Sequence, residues 1–380
     1  MFNLTQIRHE LHMIPEPSGS EIKTSNTIKK YLKECKPDEI ITNVGGHGIL
    51  ALFNSKKSGP LIIIRAELDG LPIKEKNNIP YISIHDCYSH SCGHDGHMTI
   101  VLGLGFWLKK HINNLKGKVA LLFQPAEENA TGAKQVLKDK KFGKLKPDYI
   151  FSLHNIPGFP KGSILLKKEV FSQASKGLII KLIGKTSHAA SPDEGNNPVF
   201  AMNKIIQNLT EIPDILAKQN TNLVTIIHVK LGEIAFGTSP GVAVIMATFR
   251  SQEDKQLLEM SKLAENLIKK AASNHKLKYS IEWVDYFPAL KNDSKCIDII
   301  DLSAKKIGYK VKKLEKPFLW SEDFSYFTQK INGAMLGLGS GKNNKYLHNP
   351  DYNFPDDLLE TGVGLFKQII LTILKKNKEK

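Results

Sequence analysis

Hydrophobic and polar positions in the first part of the chain alternate between strand patterns and helix patterns. Residues 48–53 and 61–69 are typical of β-strands, and the second stretch is apolar enough to be buried on both faces of a sheet. Residues 98–108 are apolar nearly all round, which predicts a buried helix. Further strand patterns follow at 118–124 and 148–153. This alternation predicts an α/β domain with a mainly parallel sheet and helices on both faces.

The hydrophobic pattern changes in the middle of the chain. Residues 178–182 and 242–250 have the more alternating pattern of strands with one solvated face. The chain has 380 residues, which is too long for one ordinary hydrophobic core. We therefore predict a second, smaller α+β domain at 174–286. It interrupts a larger domain formed by 1–173 and 287–380.

The charge of the chain is strongly basic, with 53 lysine and arginine residues against 38 aspartate and glutamate residues. Only Arg8, Arg65 and Arg250 are arginine, and the lysines are spread along the chain. Base readout and bidentate binding of phosphate favour arginine. We therefore interpret the lysines as solvated surface charge and expect no nucleic-acid partner.

Neither membrane insertion nor a disulfide framework is expected. No apolar run reaches the length that spans a bilayer. The first twelve residues resemble an amphipathic helix and lack the apolar core of a signal peptide. The four cysteines are scattered, unlike those of small secreted scaffolds. We expect a cytoplasmic protein that does not bind a membrane.

The densest chemistry lies in residues 90–97, with the sequence His-Ser-Cys-Gly-His-Asp-Gly-His. Thiolate and imidazole bind zinc and similar ions, and the glycines let the backbone turn tightly enough for neighbouring side chains to converge. The alternative is a capped start of the buried helix, with Asp95 as the N-cap and the histidines satisfied in the core. We favour a metal site, because polar groups at the mouth of a buried helix are costly unless they are paired or metal-bound.

Polar side chains also follow the predicted strands of the larger domain. In open α/β sheets, binding sites form beyond the carboxyl ends of the strands, where residues distant in sequence can meet. The residues that fit this description are Asp69, Cys92, Glu127, Glu128, His154 and His348. They supply enough ligands for two metal ions.

The adjacent glutamates Glu127 and Glu128 are predicted to have different roles. Neighbouring side chains do not normally face one ion together, but in a loop one can bind metal while the other acts as general base for a metal-bound water. The alternative is a solvated acidic turn. The position after Phe-Gln-Pro, at the end of a buried strand, favours the functional interpretation.

Six segments then form a larger pattern: RAELDGLPI at 65–73, SCGHDGH at 91–97, FQPAEE at 123–128, SHAASP at 187–192, WSEDF at 320–324 and HNP at 348–350. In this order they resemble the aminoacylase and hippurate hydrolase branch of the M20 metallopeptidases, which includes auxin-conjugate amidohydrolases and N-acetyldiaminopimelate deacetylases. The resemblance covers almost the whole chain. It implies a catalytic domain with two metal ions, interrupted by a smaller lid domain.

The resemblance also implies a role for individual residues. Glu127 matches the general base, and His188 in the lid matches a histidine that polarises the substrate carbonyl, in some relatives across a dimer. Asp69 and Asp95 lie where they could orient metal-bound histidines. The residues that match metal ligands are Cys92, His94, Glu128, His154 and His348. The implied cofactor is a pair of divalent ions in each subunit, with zinc, manganese, cobalt and nickel all open.

The chain departs from the branch at two positions. Glu67 stands where relatives usually carry aspartate, and Gly237 stands where many carry an asparagine that hydrogen-bonds the substrate. The second departure puts the substrate class in doubt more than catalysis. Arg250 keeps its place and is predicted either to bind a substrate carboxylate or to pair within the lid.

The activity implied by the resemblance is metal-dependent hydrolysis of N-acyl amino acids, such as N-acetyl or N-benzoyl compounds. A metal-activated water would attack the amide carbonyl with Glu127 as general base, giving a carboxylic acid and a free amino acid. Two alternatives stay open: a dipeptidase or carboxypeptidase of the same superfamily, and a non-catalytic metal-binding protein on the same scaffold. The expected partners are the small N-acyl amino acid or a short peptide, and a second subunit that forms a homodimer through the lid.

Overall fold

The chain forms two compact units in a computed structural model that describes residues 3–216 and 221–375. The first unit comprises Met1–Phe171, Leu290–Lys316 and Glu322–Lys380, and the second comprises Ser172–Ala289 and Pro317–Ser321.

The insertion predicted at 174–286 falls inside the second unit, which begins two residues earlier and ends three residues later. The sequence assigned the segment Pro317–Ser321 to the larger domain, whereas the structure groups it with the second unit. Arg250 explains the difference, because its guanidinium donates to the carbonyl of Leu319 at 3.1 Å and to the hydroxyl of Ser321 at 2.9 Å. No periodic pattern in so short a segment indicates these bonds.

Sixteen strands and ten α-helices follow along the described residues. Before the chain enters the second unit, the elements are α1 Leu4–His12, α2 Ile22–Cys35, β1 Glu39–Val44, β2 Gly48–Asn54, β3 Leu61–Glu67, α3 His94–His111, β4 Lys118–Gln124, α4 Gly132–Lys138, α5 Lys140–Gly143, β5 Tyr149–Pro157, β6 Ile164–Leu166 and β7 Glu169–Ser172. The second unit contains β8 Ala174–Ile183, β9 Ser187–His188, α6 Val199–Ile215, β10 Leu223–Leu231, β11 Thr238–Ser239, β12 Val242–Ser251, α7 Asp254–Asn274 and β13 Lys278–Phe287. The chain then returns through β14 Leu290–Asn292, α8 Ser294–Lys306, β15 Val311–Lys313, α9 Ser325–Thr328, β16 Gly333–Gly341 and α10 Leu359–Leu374.

The first unit is built on an eight-stranded sheet with the order β1-β2-β4-β3-β5-β16-β6-β15. Its central neighbours β4, β3, β5 and β16 pair in parallel, and β6 pairs in parallel with β15. The pairs β1–β2, β2–β4 and β16–β6 are antiparallel. The predicted α/β class with a mainly parallel sheet is therefore confirmed.

The strand β3 and the helix α3 place the chemistry of this unit. All seven residues of β3 are buried, as its continuous apolar pattern predicts for a central strand. The helix α3 begins at His94 and is buried over most of its length. Its N-cap is Gly93 with φ 91°, and a Cβ there would lie 2.6 Å from Oδ1 of Asn155. The alternative with Asp95 as the N-cap is therefore wrong, because a glycine is required at the cap by both backbone conformation and close approach.

The second unit is a four-stranded antiparallel sheet, β10-β12-β8-β13, on which α6 and α7 pack. Buried and partly exposed residues alternate along β12, as expected for a sheet with one face against helices. A separate short pair joins β9 to β11. Among the described residues of either unit, no helix is both long enough and apolar enough to cross a bilayer.

Candidate metal and catalytic site

The predicted ligands in the first unit converge near the carboxyl ends of β3, β4 and β5. The donor atoms of Cys92, His94 and His154 all lie within 4.8 Å of one another, and the same holds for Cys92, Glu128 and His348. The Sγ of Cys92 is 3.5 Å from Nε2 of His154. Because Cys92 belongs to both groups, the arrangement suits two neighbouring ions.

The positions of the two outlying histidines differ slightly from the prediction. His154 lies inside β5, since this strand continues to Pro157 instead of ending before the histidine. His348 has a left-handed backbone with φ 65°, and its amide donates to the carbonyl of Ser91 at 2.9 Å. This bond ties the loop of His348 to the turn that carries Cys92.

The imidazoles of His94 and His154 each present Nε2 to the donor cluster. Nδ1 of His94 is 2.9 Å from the carbonyl of Asp69, and Nδ1 of His154 is 3.0 Å from the carbonyl of Asn155. A carbonyl only accepts, so Nδ1 carries the proton in both rings, and the Nε2 lone pair is directed at the cluster in the neutral form. A metal-bound histidine normally has this second-nitrogen bond.

The paired glutamates have different neighbours. Glu128 lies between two histidines, with its oxygens 3.8 Å from Nε2 of His94 and 3.9 Å from Nε2 of His348. Oε2 of Glu127 lies 4.0 Å from Nε2 of His94, and its Oε1 accepts a long bond of 3.4 Å from the amide of Asp323. Donor atoms of His94, Glu127 and Glu128 also lie within 4.8 Å of one another, and Glu127 is distinguished by its bond from the amide of Asp323.

Burial and crowding of carboxylates dominate the electrostatics. Burial, together with the charges of Glu322 and Glu128, raises the pKa of Glu127 well above its usual value. Burial also raises the pKa of Glu128 to about 7 and that of the Cys92 thiol well above its usual value. A bound cation reverses this trend, because a coordinating thiol is deprotonated outright.

The donor chemistry fits divalent metal ions. Nε2 of His94, Oε1 of Glu128 and Oδ1 of Asp69 are buried without a hydrogen-bond partner among the described residues. Buried polar atoms are normally satisfied, and a cation coordinated by thiolate, imidazole and carboxylate would satisfy the two that belong to the donor set. Thiolate and imidazole suit zinc and related transition ions better than magnesium or calcium.

A second layer of buried charges supports the donors, and the sequence analysis gave these residues no role. The guanidinium of Arg65 contacts Glu67, donates to Glu322 at 3.0 Å and donates to Asp323 at 2.8 Å. Asp323 also accepts from the side chain of Gln124 and, at 2.8 Å, from the amide of Ala133. The signal was present in the sequence, since an arginine and a glutamate in a strand buried on both faces require partners.

His97 links this layer to the donor histidines. Its Nδ1 is 2.8 Å from Glu67, its Nε2 contacts Oδ1 of Asn155, and its ring lies 4.9 Å from that of His154. Asn155 in turn donates to the hydroxyl of Tyr352. Glu67, at a position where the resemblance led us to expect aspartate, therefore bonds His97, whose ring packs against that of the donor His154.

The two aspartates predicted to orient histidines have different surroundings. Asp69 accepts from the amide of Glu128 at 3.0 Å, and its Oδ1 is 3.6 Å from Nδ1 of His94. Asp95 is bound by Arg8 at 2.9 Å and by His12 at 2.8 Å. Asp95 therefore connects α3 to α1, and its role in orienting a donor histidine stays a prediction.

The two lid residues lie in the second unit. His188 is exposed in β9, and its Nδ1 accepts from the amide of Ala190 at 3.0 Å. In the neutral ring the proton is then on Nε2, which makes that atom a hydrogen-bond donor. The strand β9 is held by β11 and by a bond from Ala189 to the carbonyl of Gly237 at 2.9 Å. Arg250 donates to the carbonyl of Leu319 and to the hydroxyl of Ser321, and its role towards a substrate carboxylate stays a prediction.

Known proteins match the chain over nearly its full length. It is 31% identical to the hippurate hydrolase of Campylobacter jejuni over 97% of this chain and 96% of that protein. It is 29% identical to the N-acetylcysteine deacetylase of Bacillus subtilis over 99% of this chain and 98% of that protein. Among solved structures, a dinuclear metal-binding M20 peptidase of Bacillus subtilis matches with a TM-score of 0.81 and 27% identity, covering 97% of this chain and 96% of that one.

The model of peptidase family M20/M25/M40 matches residues 63–372, a range that contains every donor residue of the cluster and both lid residues. The resemblance drawn from the six motifs is thereby confirmed. The chain belongs to peptidase family M20/M25/M40.

Proposed function

We propose that this chain is a metal-dependent amidohydrolase that cleaves N-acyl amino acids into a carboxylic acid and a free amino acid. The observation that carries the proposal is a second carboxylate, that of the buried Glu127, which lies beside the donor atoms of His94 and Glu128 and accepts from the amide of Asp323. A non-catalytic metal protein needs ligands but no extra buried carboxylate at the edge of the cluster. The names of the relatives, a hippurate hydrolase and an N-acetylcysteine deacetylase, support the N-acyl amino acid class.

The residues that would hold two divalent ions are Cys92, His94, Glu128, His154 and His348. When bound, such ions lower the pKa of a coordinated water and polarise the carbonyl of the substrate. The soft thiolate of Cys92 favours zinc, and manganese, cobalt and nickel are the other candidates.

The residues of the chain would then supply proton transfer and charge stabilisation. Glu127 would accept the proton of the attacking water and later donate it to the leaving amine. Its pKa, which burial and Glu322 raise, suits a group that must take up a proton near neutral pH. The Nε2–H of His188 would stabilise the oxyanion that develops on the carbonyl.

The substrate carboxylate is assigned to Arg250. Its recorded bonds are to a carbonyl and a hydroxyl, so its positive charge is not neutralised by a carboxylate among the described residues. Asp69 would orient two donors, because its carboxylate accepts from the amide of Glu128 and its carbonyl accepts from Nδ1 of His94.

A homodimer through the second unit is part of the proposal. The strand β10 is an edge of the four-stranded sheet, and its Ile227 and Val229 are 61% and 39% exposed. An exposed edge strand with apolar side chains is a template for pairing with another chain. Light scattering of the wild type and of an Ile227→Lys variant tests the state, since the variant should be monomeric.

A substrate and metal panel tests the proposed activity. The protein is stripped with a chelator and reloaded separately with zinc, manganese, cobalt or nickel. Each form is then assayed on N-acetylcysteine, hippurate, N-acetyldiaminopimelate and simple dipeptides. We expect the N-acyl amino acids to be hydrolysed and the Glu127→Gln protein to be inactive at equal metal content. Faster cleavage of the dipeptides would replace the proposal with a peptidase, and no turnover with any fully loaded form would reject it.

A further inference from the structure

Glu21 is a fully buried carboxyl that has no role in the donor cluster. It occupies the N-cap position of α2, yet its side chain makes no capping bond to that helix. Instead, Oε1 accepts from the amide of Gly19 at 2.7 Å and from the amide of Ala126 at 2.8 Å. Its Oε2 has no hydrogen-bond partner among the described residues. A buried carboxyl that leaves one oxygen unsatisfied is costly, which indicates a role for the bond that it does make.

The residue that Glu21 binds has an unusual backbone. Ala126 has φ 53° in the left-handed region, directly before Glu127. Residues other than glycine rarely adopt this conformation, and it persists where the surroundings hold it in place. Here the Ala126 amide is bound by Glu21, and its carbonyl accepts from the amide of Gly132 at 2.9 Å. Both peptide groups of the strained residue are therefore fixed.

The segment that carries Glu21 is anchored independently. The hydroxyl of Ser18 donates to Asp69 at 2.7 Å, and the amide of Gly70 donates to the carbonyl of Glu16 at 2.8 Å. Asp69 also holds the amide of Glu128. The segment that carries Glu21 is therefore bonded to Asp69, which in turn holds the amide of the donor Glu128.

We infer that Glu21 is a positioning residue, which holds the left-handed turn at Ala126 and thereby sets the direction of the Glu127 carboxylate. The inference rests on the proposed function in one respect, the role of Glu127 as general base. A displacement of about 1 Å in a reacting group can lower turnover by about a hundredfold. Loss of this bond should therefore lower kcat even though Glu21 is not part of the donor set.

Amide hydrogen exchange tests the structural half of the inference without any substrate. In Glu21→Ala the peptide that contains Ala126 and Glu127 should exchange at least about tenfold faster than in the wild type, because the Ala126 amide loses its acceptor. Glu21→Gln keeps a side-chain oxygen at the same place and should stay near the wild-type rate. Unchanged exchange in Glu21→Ala would overturn the inference.

Kinetics at equal metal content test the catalytic half. On the best substrate of the panel, kcat of Glu21→Ala should fall by about tenfold or more while KM changes by less than about twofold. Glu21→Gln should retain most of the activity. The matched control is Glu16→Ala, which removes a carboxylate of the same segment whose side chain bonds Thr24. It should keep the wild-type kcat.

A second-site change separates positioning from general loosening. Ala126→Gly removes the steric cost of a left-handed backbone, so it should restore at least part of the kcat lost in Glu21→Ala. A residue that only stabilised the fold would show no such recovery. Faster exchange with an unchanged kcat, or a fall in kcat with no recovery in the double variant, would overturn the inference. If the loaded wild type is inactive on the whole panel, the proposed function fails, and the exchange result still decides whether Glu21 holds the turn.

Discussion

The donor cluster of the first unit and the β9–β11 edge of the second carry candidate groups in opposite surroundings. Cys92 and His94 are buried, and His94 is fixed by the carbonyl of Asp69. His188 is exposed, and its Nδ1 accepts a hydrogen bond from the amide of Ala190, two residues along the chain. The donors that must converge on a small ion are thus fixed by burial and by hydrogen bonds. His188, which would donate one hydrogen bond, is positioned only by the short pairing of β9 with β11.

This difference has an energetic consequence. Substitution of a buried donor or of its charged supports leaves other buried charges without partners, so binding and stability change together. Substitution of an exposed side chain usually changes stability by no more than about 0.5 kcal/mol. Substitutions of the donors in the first region should therefore change metal binding and stability, whereas those in the second should change turnover alone.

The largest expected effect is the loss of turnover in Glu127→Gln. The amide has nearly the same shape but cannot accept a proton, so we expect kcat to fall by about 10²- to 10⁴-fold while the protein keeps its metal. Glu128→Gln, in contrast, removes a charged donor from the cluster and should lose metal first. Metal analysis and steady-state kinetics on both variants measure the split. Equal metal loss in the two proteins would show that the roles of the glutamates are wrongly divided.

The next effect concerns the exposed edge. His188→Ala should fold and bind metal like the wild type, but its kcat should fall by about 10²- to 10³-fold, since a donor to the oxyanion acts mainly in the transition state. Thermal unfolding, metal content and kcat against KM are the measurements. A fully active variant would remove the second unit from the mechanism.

Mixed dimers sharpen this result if the wild type is dimeric. A heterodimer of His188→Ala and Glu127→Gln subunits regains activity only where one subunit supplies the histidine to the other. Recovery would show donation in trans. No recovery in confirmed heterodimers would mean that each chain uses its own His188.

Cys92→Ser should weaken metal binding by at least about tenfold, because Cys92 belongs to both donor groups and serine offers a harder, neutral oxygen. Activity should fall in parallel with metal content at low metal concentration. The matched control is Cys87→Ser, an exposed cysteine outside the cluster. A Cys92→Ser protein with full metal occupancy and normal turnover would contradict the assignment.

The fold was predictable wherever one physical requirement determined the pattern. A central parallel strand must be apolar on both faces, and 61–69 predicted β3 Leu61–Glu67 for that reason. The buried helix predicted at 98–108 lies within α3 His94–His111. The segment Pro317–Ser321 was assigned to the larger domain, because its bonds with the distant Arg250 leave no periodic signal in the sequence.

The candidate site was predictable to the extent that its residues are chemically distinctive. Thiol, imidazole and paired carboxylates stand out in a sequence, and the structure brings those of the first unit together. Of the supports, Arg65 and Glu67 carry a signal as charged residues in a buried strand, and the others do not stand out. Asp323 is held by a guanidinium and an amide far from it in sequence, and Glu21 could not be told from a surface glutamate beside a helix start. Nothing local to Asp95 indicates that its carboxylate faces α1.

The remaining expected effect concerns the pH dependence of stability in the first unit. His12 is buried between Asp95 at 2.8 Å and Glu75 at 3.0 Å. Burial alone would lower its pKa, as does the nearby charge of Arg8, but the Asp95 charge and the bonds to both carboxylates raise the pKa to about 9. The ring of His90 lies 6.4 Å away and that of Tyr81 lies 5.5 Å away. A protonated His12 therefore bridges two carboxylates in the folded protein.

The sign of the effect follows from the two protonation equilibria. Below pH 6.5, the ordinary value for histidine, both folded and unfolded chains hold the proton, and the stabilisation is complete. Between 6.5 and about 9 the unfolded chain releases its proton while the folded chain keeps it, so the free energy of unfolding declines, by up to about 3 kcal/mol in total. Urea unfolding of the first unit, monitored at pH 6.5, 8 and 9.5, measures this decline, and His12→Gln should flatten most of it.

The second unit, whose core is apolar with no such buried bridge among its described residues, should unfold with little change over the same range. An equal decline in both units, or one that His12→Gln leaves intact, would assign the pH dependence to other groups and remove this contrast between the two regions.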